Sequence, residues 1–215
     1  MANICNSFDL FFGQWHDSVY RLCFMLSRSP HDARELTFQA FLRLGAAKNA
    51  EIGESEAKRL LYSSALRLCD DYFLKKMRRK PKRDALKKAA SFPVTDSLVS
   101  ALDLPFARRA ALCLTLDGFS PEEIAAMLHS SGRLAAHSSS APDIHGWQEA
   151  LLSIALTQEE ADALSDRIYD RFSERNVALE NSIHGLRSSF DRAAPLLALG
   201  VLALFALAIW YTGQP

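Results

Sequence analysis

Residues 7–45 read SFDLFFGQWHDSVYRLCFMLSRSPHDARELTFQAFLRLG and contain two apolar repeats with helical spacing. In the first half, apolar side chains recur every three or four residues, which predicts a helix with one apolar face. Ser7 is placed to cap this helix. Ser29 and Pro30 have the types expected at the start of a second helix, which Gly45 ends. The apolar positions of the first helix are Phe8, Phe11, Phe12, Trp15, Val19, Leu22 and Leu26.

The remainder of the chain also reads as helix, and no segment requires a strand. A long helix is expected from about Glu56 to Lys80, followed by three short helices over residues 95–128 and a further helix from residue 157. Capping residues mark the later starts: Thr95, the pair Ser120 and Glu123, and the pair Thr157 and Glu160. The predicted fold class is all-α, with two small helical units, a long amphipathic helix and one transmembrane helix.

Composition excludes few functions. Lysine plus arginine and aspartate plus glutamate number 25 each, so the overall charge favours no class of partner. The four cysteines stand far apart and form no CxxC pair. They therefore suggest neither a metal site nor a disulfide framework, and buried thiols in a reducing compartment are expected. The amino-terminal residues lack the basic start of a signal peptide.

The transmembrane prediction depends on residues 193–212. They are uncharged and mostly apolar, and a helix of about 20 residues can cross about 30 Å of hydrocarbon. The alternative is a buried core helix, which rarely needs an apolar surface all round. Arg187 and Arg192 precede the span and no charge follows it, so the positive-inside rule places the amino-terminal part in the bacterial cytoplasm, at the cytoplasmic membrane.

A seam of heptad spacing precedes the span. Over residues 169–190, Tyr169, Phe172, Asn176, Leu179, Ile183, Leu186 and Phe190 alternate at three and four residues, as the a and d positions of a coiled coil do. This pattern predicts a parallel homodimer. The alternative is that the stripe packs on the chain's own helices.

Three stretches in series resemble the extracytoplasmic-function class of RNA polymerase sigma factors. FFGQWHDSVYRLCFML with SPHDARELTFQAFLRL, at 11–26 and 29–44, is similar to the opening of sigma region two. LLYSSALRLCDDYFLKKMRR, at 60–79, is similar to the continuation of that region. LPFARRAALCLTLDGFSPEEIAAML, at 104–128, is similar to the first part of sigma region four.

The resemblance implies a polymerase-binding surface on the second helix, made by Glu35, Phe38, Gln39 and Leu42. In the family, an acidic residue followed three positions later by glutamine docks on the polymerase clamp helices. Here those two positions are Glu35 and Phe38. A phenyl ring cannot hydrogen-bond as an amide does, so docking through this ring requires an apolar partner surface.

The resemblance also implies a nucleic-acid surface after the long helix. Two aromatic residues could stack bases, and a run of cations could track phosphates. Arg67 replaces an asparagine common in the family. The candidate residues are Arg67, Tyr72, Phe73, Lys75, Lys76, Arg78, Arg79, Lys80, Lys82 and Arg83. Attraction to anionic lipid and a solvated helix end are alternative interpretations of the basic tract.

The helix that would read the upstream promoter element is missing from the sequence pattern. Residues 129–142 read HSSGRLAAHSSSAP, with one arginine and no sustained apolar face. Serine is indifferent to helix, so we expect base-edge reading in a groove to be lost.

These features define the predicted domains and function. The domains are a sigma region-two-like unit at 1–80, a basic linker at 81–97, a truncated region-four-like unit at 98–129, an irregular linker at 130–146, an amphipathic coiled-coil-like helix at 147–191, and the membrane span at 193–212. We predict a membrane-tethered, sigma-factor-like transcription regulator that binds RNA polymerase, promoter DNA or both. The alternative is a sigma-derived interaction module, adaptor or anti-sigma-like, that no longer initiates transcription. No enzyme activity, cofactor, metal site or small-molecule substrate is expected.

Overall fold

A computed structural model describes residues 2–46, 53–76, 90–130 and 146–174 of the chain. These residues form α-helices and no strand, which confirms the all-α prediction. The described helices are α1 (Ala2–Ser27), α2 (Pro30–Ala46), α3 (Glu54–Lys76), α4 (Asp96–Asp103), α5 (Phe106–Leu116), α6 (Pro121–Ser130), α7 (Gln148–Leu152) and α8 (residues 158–174).

Local capping sets the starts of the later helices as predicted. The Thr95 side chain accepts a hydrogen bond from the backbone N–H of Leu98 at the start of α4. At the start of α6, the Ser120 N–H donates to the Glu123 carboxylate and the Glu123 N–H donates to the Ser120 hydroxyl. Thr157 and Glu160 make the same reciprocal pair of bonds before α8. These bonds satisfy backbone donors that the first helical turn leaves unpaired.

Two of the helix-to-helix turns contain a residue with left-handed backbone dihedral angles. Gly118 has φ of 83° between α5 and α6, a conformation that costs glycine little. Arg28 has φ of 59° between α1 and α2, where a residue with a side chain is uncommon. The first helix begins at Ala2 rather than at Ser7, since the residues between them include no helix breaker.

The core is built around α1, which packs against α2, α3 and α5. Its predicted apolar face is buried at Phe12, Trp15, Val19, Leu22 and Leu26. All residues from Val19 to Ser27 are buried, whatever face they occupy, because α5 covers the side of α1 that α2 and α3 leave open. An amphipathic pattern predicts only one buried face, so the sequence did not indicate this central position.

An ion pair joins α1 to the turn between α5 and α6. The Arg21 guanidinium lies 3.1 Å from the Asp117 carboxylate, with both side chains 7% exposed. The Nε of Arg21 also donates to the carbonyl of Leu151 in α7, at 2.9 Å. Lys58 of α3 donates to the Asp117 carbonyl and lies over the Phe119 ring. These contacts join α1, α3 and α7 to the turn between α5 and α6.

The chain divides into two units after Tyr169, and all but the last five of the described residues belong to the first unit. The first unit contains both predicted sigma-like segments, 1–80 and 98–129. The described part of the predicted linker 81–97 begins at residue 90, and in it Phe92 packs edge-on against Phe24 with ring centroids 4.8 Å apart. The predicted helix 147–191 is interrupted in its described part, because α7 ends at Leu152 and α8 begins after the Thr157 cap.

Within the described ranges, no helix is both long and apolar enough to span a bilayer. The predicted span 193–212 lies outside those ranges, as do residues 175–190 of the predicted coiled-coil seam and the irregular segment 131–145.

Candidate functional site

The four residues predicted to contact polymerase lie on neighbouring turns of α2. Glu35, Phe38, Gln39 and Leu42 are spaced by three or four residues, which places them on one face of the helix. Glu35, Gln39 and Leu42 are half-buried, while Phe38 is only 4% exposed. The structure therefore places the four predicted residues on one surface, and Phe38 is the most buried of them.

Both oxygens of the Glu35 carboxylate have a donor. The Gln39 side-chain amide donates to Oε1 at 3.0 Å, across one turn of α2. Nη1 of Arg167 lies 2.9 Å from Oε2 and forms an ion pair with it. The Gln39 amide thus orients the carboxylate toward the cation.

Arg167 also covers the phenyl ring that replaces the expected glutamine. Its guanidinium carbon lies 4.0 Å from the centroid of the Phe38 ring, within the range of a cation–π interaction. One guanidinium therefore pairs with the Glu35 carboxylate and also lies over the Phe38 ring. No pattern in the sequence pointed to Arg167, which lies well over one hundred residues from both partners along the chain.

Contacts at the start of α8 hold this helix beside α2. Glu160 forms an ion pair with Arg34 and accepts a hydrogen bond from the Ser91 hydroxyl at 3.0 Å. Burial raises the pKa of Glu160, but bonds from Thr157 and Ser91 and the charge of Arg34 outweigh it, so the pKa is lowered. The inner face of α8 is apolar and buried at Ala161, Leu164 and Ile168.

The predicted base-stacking aromatics are engaged within the chain. The Tyr72 hydroxyl donates to the Asp32 carboxylate at 2.6 Å, which joins α3 to the first turn of α2. Burial, followed by this hydrogen bond, raises the pKa of Tyr72. The Phe73 ring packs edge-on against Phe106 of α5, with centroids 5.3 Å apart. Neither ring stands clear of the bundle as an unoccupied stacking platform.

Arg67 is exposed and lines a groove between α3 and α6. Arg59, Ser63 and Ser64 lie on the same side, whereas Glu122 and Glu123 of α6 line it too. This mixture of signs differs from the uniformly basic surface that tracks phosphates. Lys75 and Lys76 belong to the last turn of α3. The remaining predicted cations, Arg78, Arg79, Lys80, Lys82 and Arg83, lie outside the described residues.

A buried arginine, which the sequence analysis also missed, caps α1. Arg109 is 1% exposed and donates from Nη1 to the Met25 carbonyl at 2.6 Å. A cation is favourable at a helix carboxyl end, where the last carbonyls lack partners. Burial, with a contribution from nearby Arg28, lowers the pKa of Arg109 to about 9. Its neighbour Arg108 is exposed, so two arginines that are adjacent in the sequence have different environments in the structure.

Three of the cysteines meet in the core although they are far apart in sequence. Cys23, Cys69 and Cys113 are free and buried. A hydrogen bond with Cys23 and, after it, burial raise the pKa of Cys69, and burial raises the pKa of Cys113. These thiols behave as small core side chains, as predicted. Over the described parts of the chain, no group of three His, Cys, Asp or Glu side chains is placed to hold a metal ion.

Comparison of the chain with protein-family models, with curated proteins and with solved structures finds no match. Functional inference therefore depends on the residues and contacts above.

Proposed function

We propose that the chain is a sigma-factor-like transcription regulator that binds RNA polymerase through α2 and is held at the bacterial membrane by residues 193–212. The observation that supports this proposal most directly is the α2 surface. Glu35, Gln39 and Leu42 are half-buried on one helix face, and the amide of Gln39 orients the acid. Polar side chains beside an apolar one, here Glu35 and Gln39 beside Leu42, have the arrangement of the polar rim and apolar core of a protein-binding site.

The order of the helices gives further support. Helices α1, α2 and α3 pack on one another in sequence, and α5 and α6 form a helix–turn–helix pair around Gly118. This order is the one expected for sigma region two followed by the first part of region four. The paired helices have the short, glycine-containing turn that is typical of the motif.

Recovery of RNA polymerase core enzyme with the tagged full-length chain, from detergent extracts at low salt, tests the proposal. Leu42→Asp places a charge on the docking face and is expected to abolish recovery. Arg43→Asp changes the adjacent exposed residue and is expected to retain it. Circular dichroism shows whether both variants keep their helices. Absence of polymerase from the wild-type eluate would count decisively against the proposal.

A second candidate function is an interaction module derived from a sigma factor that no longer initiates transcription. Two contacts favour this function: that of Tyr72 with Asp32 and that of Phe73 with Phe106. Both rings are predicted base-stacking groups, and here they are used for packing within the chain. Charge reversal at Arg78, Arg79 and Lys80 separates the two functions. An initiating factor loses target expression in this variant, whereas an interaction module keeps its membrane complexes and leaves expression unchanged.

A further inference from the structure

The contact of Arg167 with α2 has the chemistry of a binding site for arginine. The guanidinium is a planar fork that can pair with a carboxylate through its edge while its face stacks on an aromatic ring. Glu35 supplies the carboxylate, 2.9 Å from Nη1, and Phe38 supplies the ring, 4.0 Å from the guanidinium carbon. Lysine could satisfy the charge but not the planar stacking, so the site discriminates between the two cations.

Helix α2 alone fixes the position of Glu35 relative to Phe38. Glu35 and Phe38 lie three residues apart on the same helix, so their separation does not depend on α8. Gln39 holds the other oxygen of the carboxylate from the next turn. A partner arginine would therefore find both groups already in position, which reduces the ordering cost of binding.

The arginine that occupies the site in this structure is open to exchange. The Arg167 side chain is 55% exposed and the Glu35 side chain is 39% exposed, so solvent reaches the ion pair. Water and salt weaken such a pair. Another arginine can therefore compete for Glu35 without first breaking a buried ion pair, whereas release of α8 also exposes its apolar side chains Ala161, Leu164 and Ile168.

We propose that Glu35 and Phe38 form an arginine-binding site. In the closed state, with α8 packed against α2, Arg167 fills the site. When α8 is displaced, an arginine of RNA polymerase fills it. The inference depends on the proposed function, because it adds the partner's recognition group and a regulatory step to the same surface. It also explains the departure at Phe38. The ring replaces an amide, yet it retains a polar partner through cation–π contact.

Packing of α8 against α2 and binding of polymerase are mutually exclusive in this proposal, because both place an arginine on Glu35 and Phe38. The apparent affinity for polymerase is then the intrinsic affinity multiplied by the fraction of chains in which α8 is released. Removing the Arg167 contact raises that fraction. Other contacts of α8, including the Arg34–Glu160 ion pair, remain and limit the gain.

The test compares Arg167→Glu with Arg171→Glu in the full-length chain in detergent micelles. Arg171 lies one turn further along the same helix, is exposed, and pairs with Glu174 at 2.8 Å. Hydrogen–deuterium exchange over residues 158–169 reports release of α8, independently of any partner. The dissociation constant for purified polymerase core reports the docking surface.

We expect faster exchange and about three- to tenfold tighter polymerase binding for Arg167→Glu, an intermediate effect for Arg167→Lys, and neither change for Arg171→Glu. In the Arg167→Glu background, Phe38→Leu removes the ring but keeps an apolar side chain. It is expected to weaken polymerase binding at least about threefold. Unchanged binding by this double variant would overturn the arginine site.

The two ways of failing are distinguishable. If wild type and Arg167→Glu bind polymerase equally, α8 does not compete for the surface; the inference is overturned and the proposed function stands. If exchange over α8 does not change, Arg167 does not contribute to closure, and the inference is also overturned. If neither protein binds polymerase although exchange shows α8 released, the proposed function itself fails and the inference fails with it.

Discussion

Replacing Arg21 by methionine tests how the turn between α5 and α6 is attached to α1. Methionine keeps much of the side-chain length but removes the cation from Asp117 and the donor from the Leu151 carbonyl. Removing one partner of a buried ion pair typically costs about 3–5 kcal/mol, since the other charge stays buried. Asp117 is 7% exposed, so its carboxylate retains little access to water in the variant.

Protonation of Asp117 sets an upper limit to the part of that cost that comes from the unpaired carboxylate. From an ordinary pKa of 3.8, neutralising the carboxyl at pH 7 costs about 4 kcal/mol, at about 1.4 kcal/mol per pH unit. At pH 5 the same limit is about 1.6 kcal/mol. Burial already raises the pKa of Asp117 in the wild type, with Arg21 opposing the rise. A raised acid pKa means that the folded state binds the proton more tightly, so this group's penalty shrinks as the pH falls.

Urea unfolding, followed by tryptophan fluorescence, measures the effect because Trp15 is buried in α1. We expect Arg21→Met to lose about 3–4 kcal/mol at pH 7 and at least about 1 kcal/mol less than that at pH 5. Adding Asp117→Asn should restore about 2 kcal/mol at pH 7, whereas Arg43→Met, at an exposed site, should change little. A loss below about 1 kcal/mol at pH 7, or an equal loss at both pH values, would refute the reasoning.

Three further substitutions probe individual contacts by the same unfolding measurement. Arg109→Ala should cost about 2–5 kcal/mol through a lost cap and a cavity, while Arg108→Ala should cost less than about 0.5 kcal/mol; similar losses would contradict the assignment of the cap. Tyr72→Phe removes the bond to Asp32 and should cost about 1.5–3 kcal/mol, which a neutral result would exclude. Thr95→Ala should cost about 1 kcal/mol, and Thr95→Ser should recover most of it if the hydroxyl is the cap.

The sequence could predict which residues of the candidate site share a helix face, but not which of them are buried or which side chains they contact. The spacing of Glu35, Phe38, Gln39 and Leu42 placed them on one helix face, because helical geometry depends only on the chain near each residue. The spacing could not show that Arg167 lies against this face. Exposure of Tyr72 and Phe73 was likewise undetermined, since an aromatic residue near the end of an amphipathic helix serves packing and base stacking equally well.

The sequence alone determined the helical class and most helix starts, because caps and apolar periodicity act over three or four residues. Ser120 with Glu123 and Thr157 with Glu160 formed the bonds that their spacing predicted. Only the tertiary structure decided which distant side chains meet. Arg21 with Asp117, and Arg167 with Glu35, join residues roughly a hundred or more positions apart. Such pairs depend on how whole helices pack, and no local pattern encodes the choice of partner.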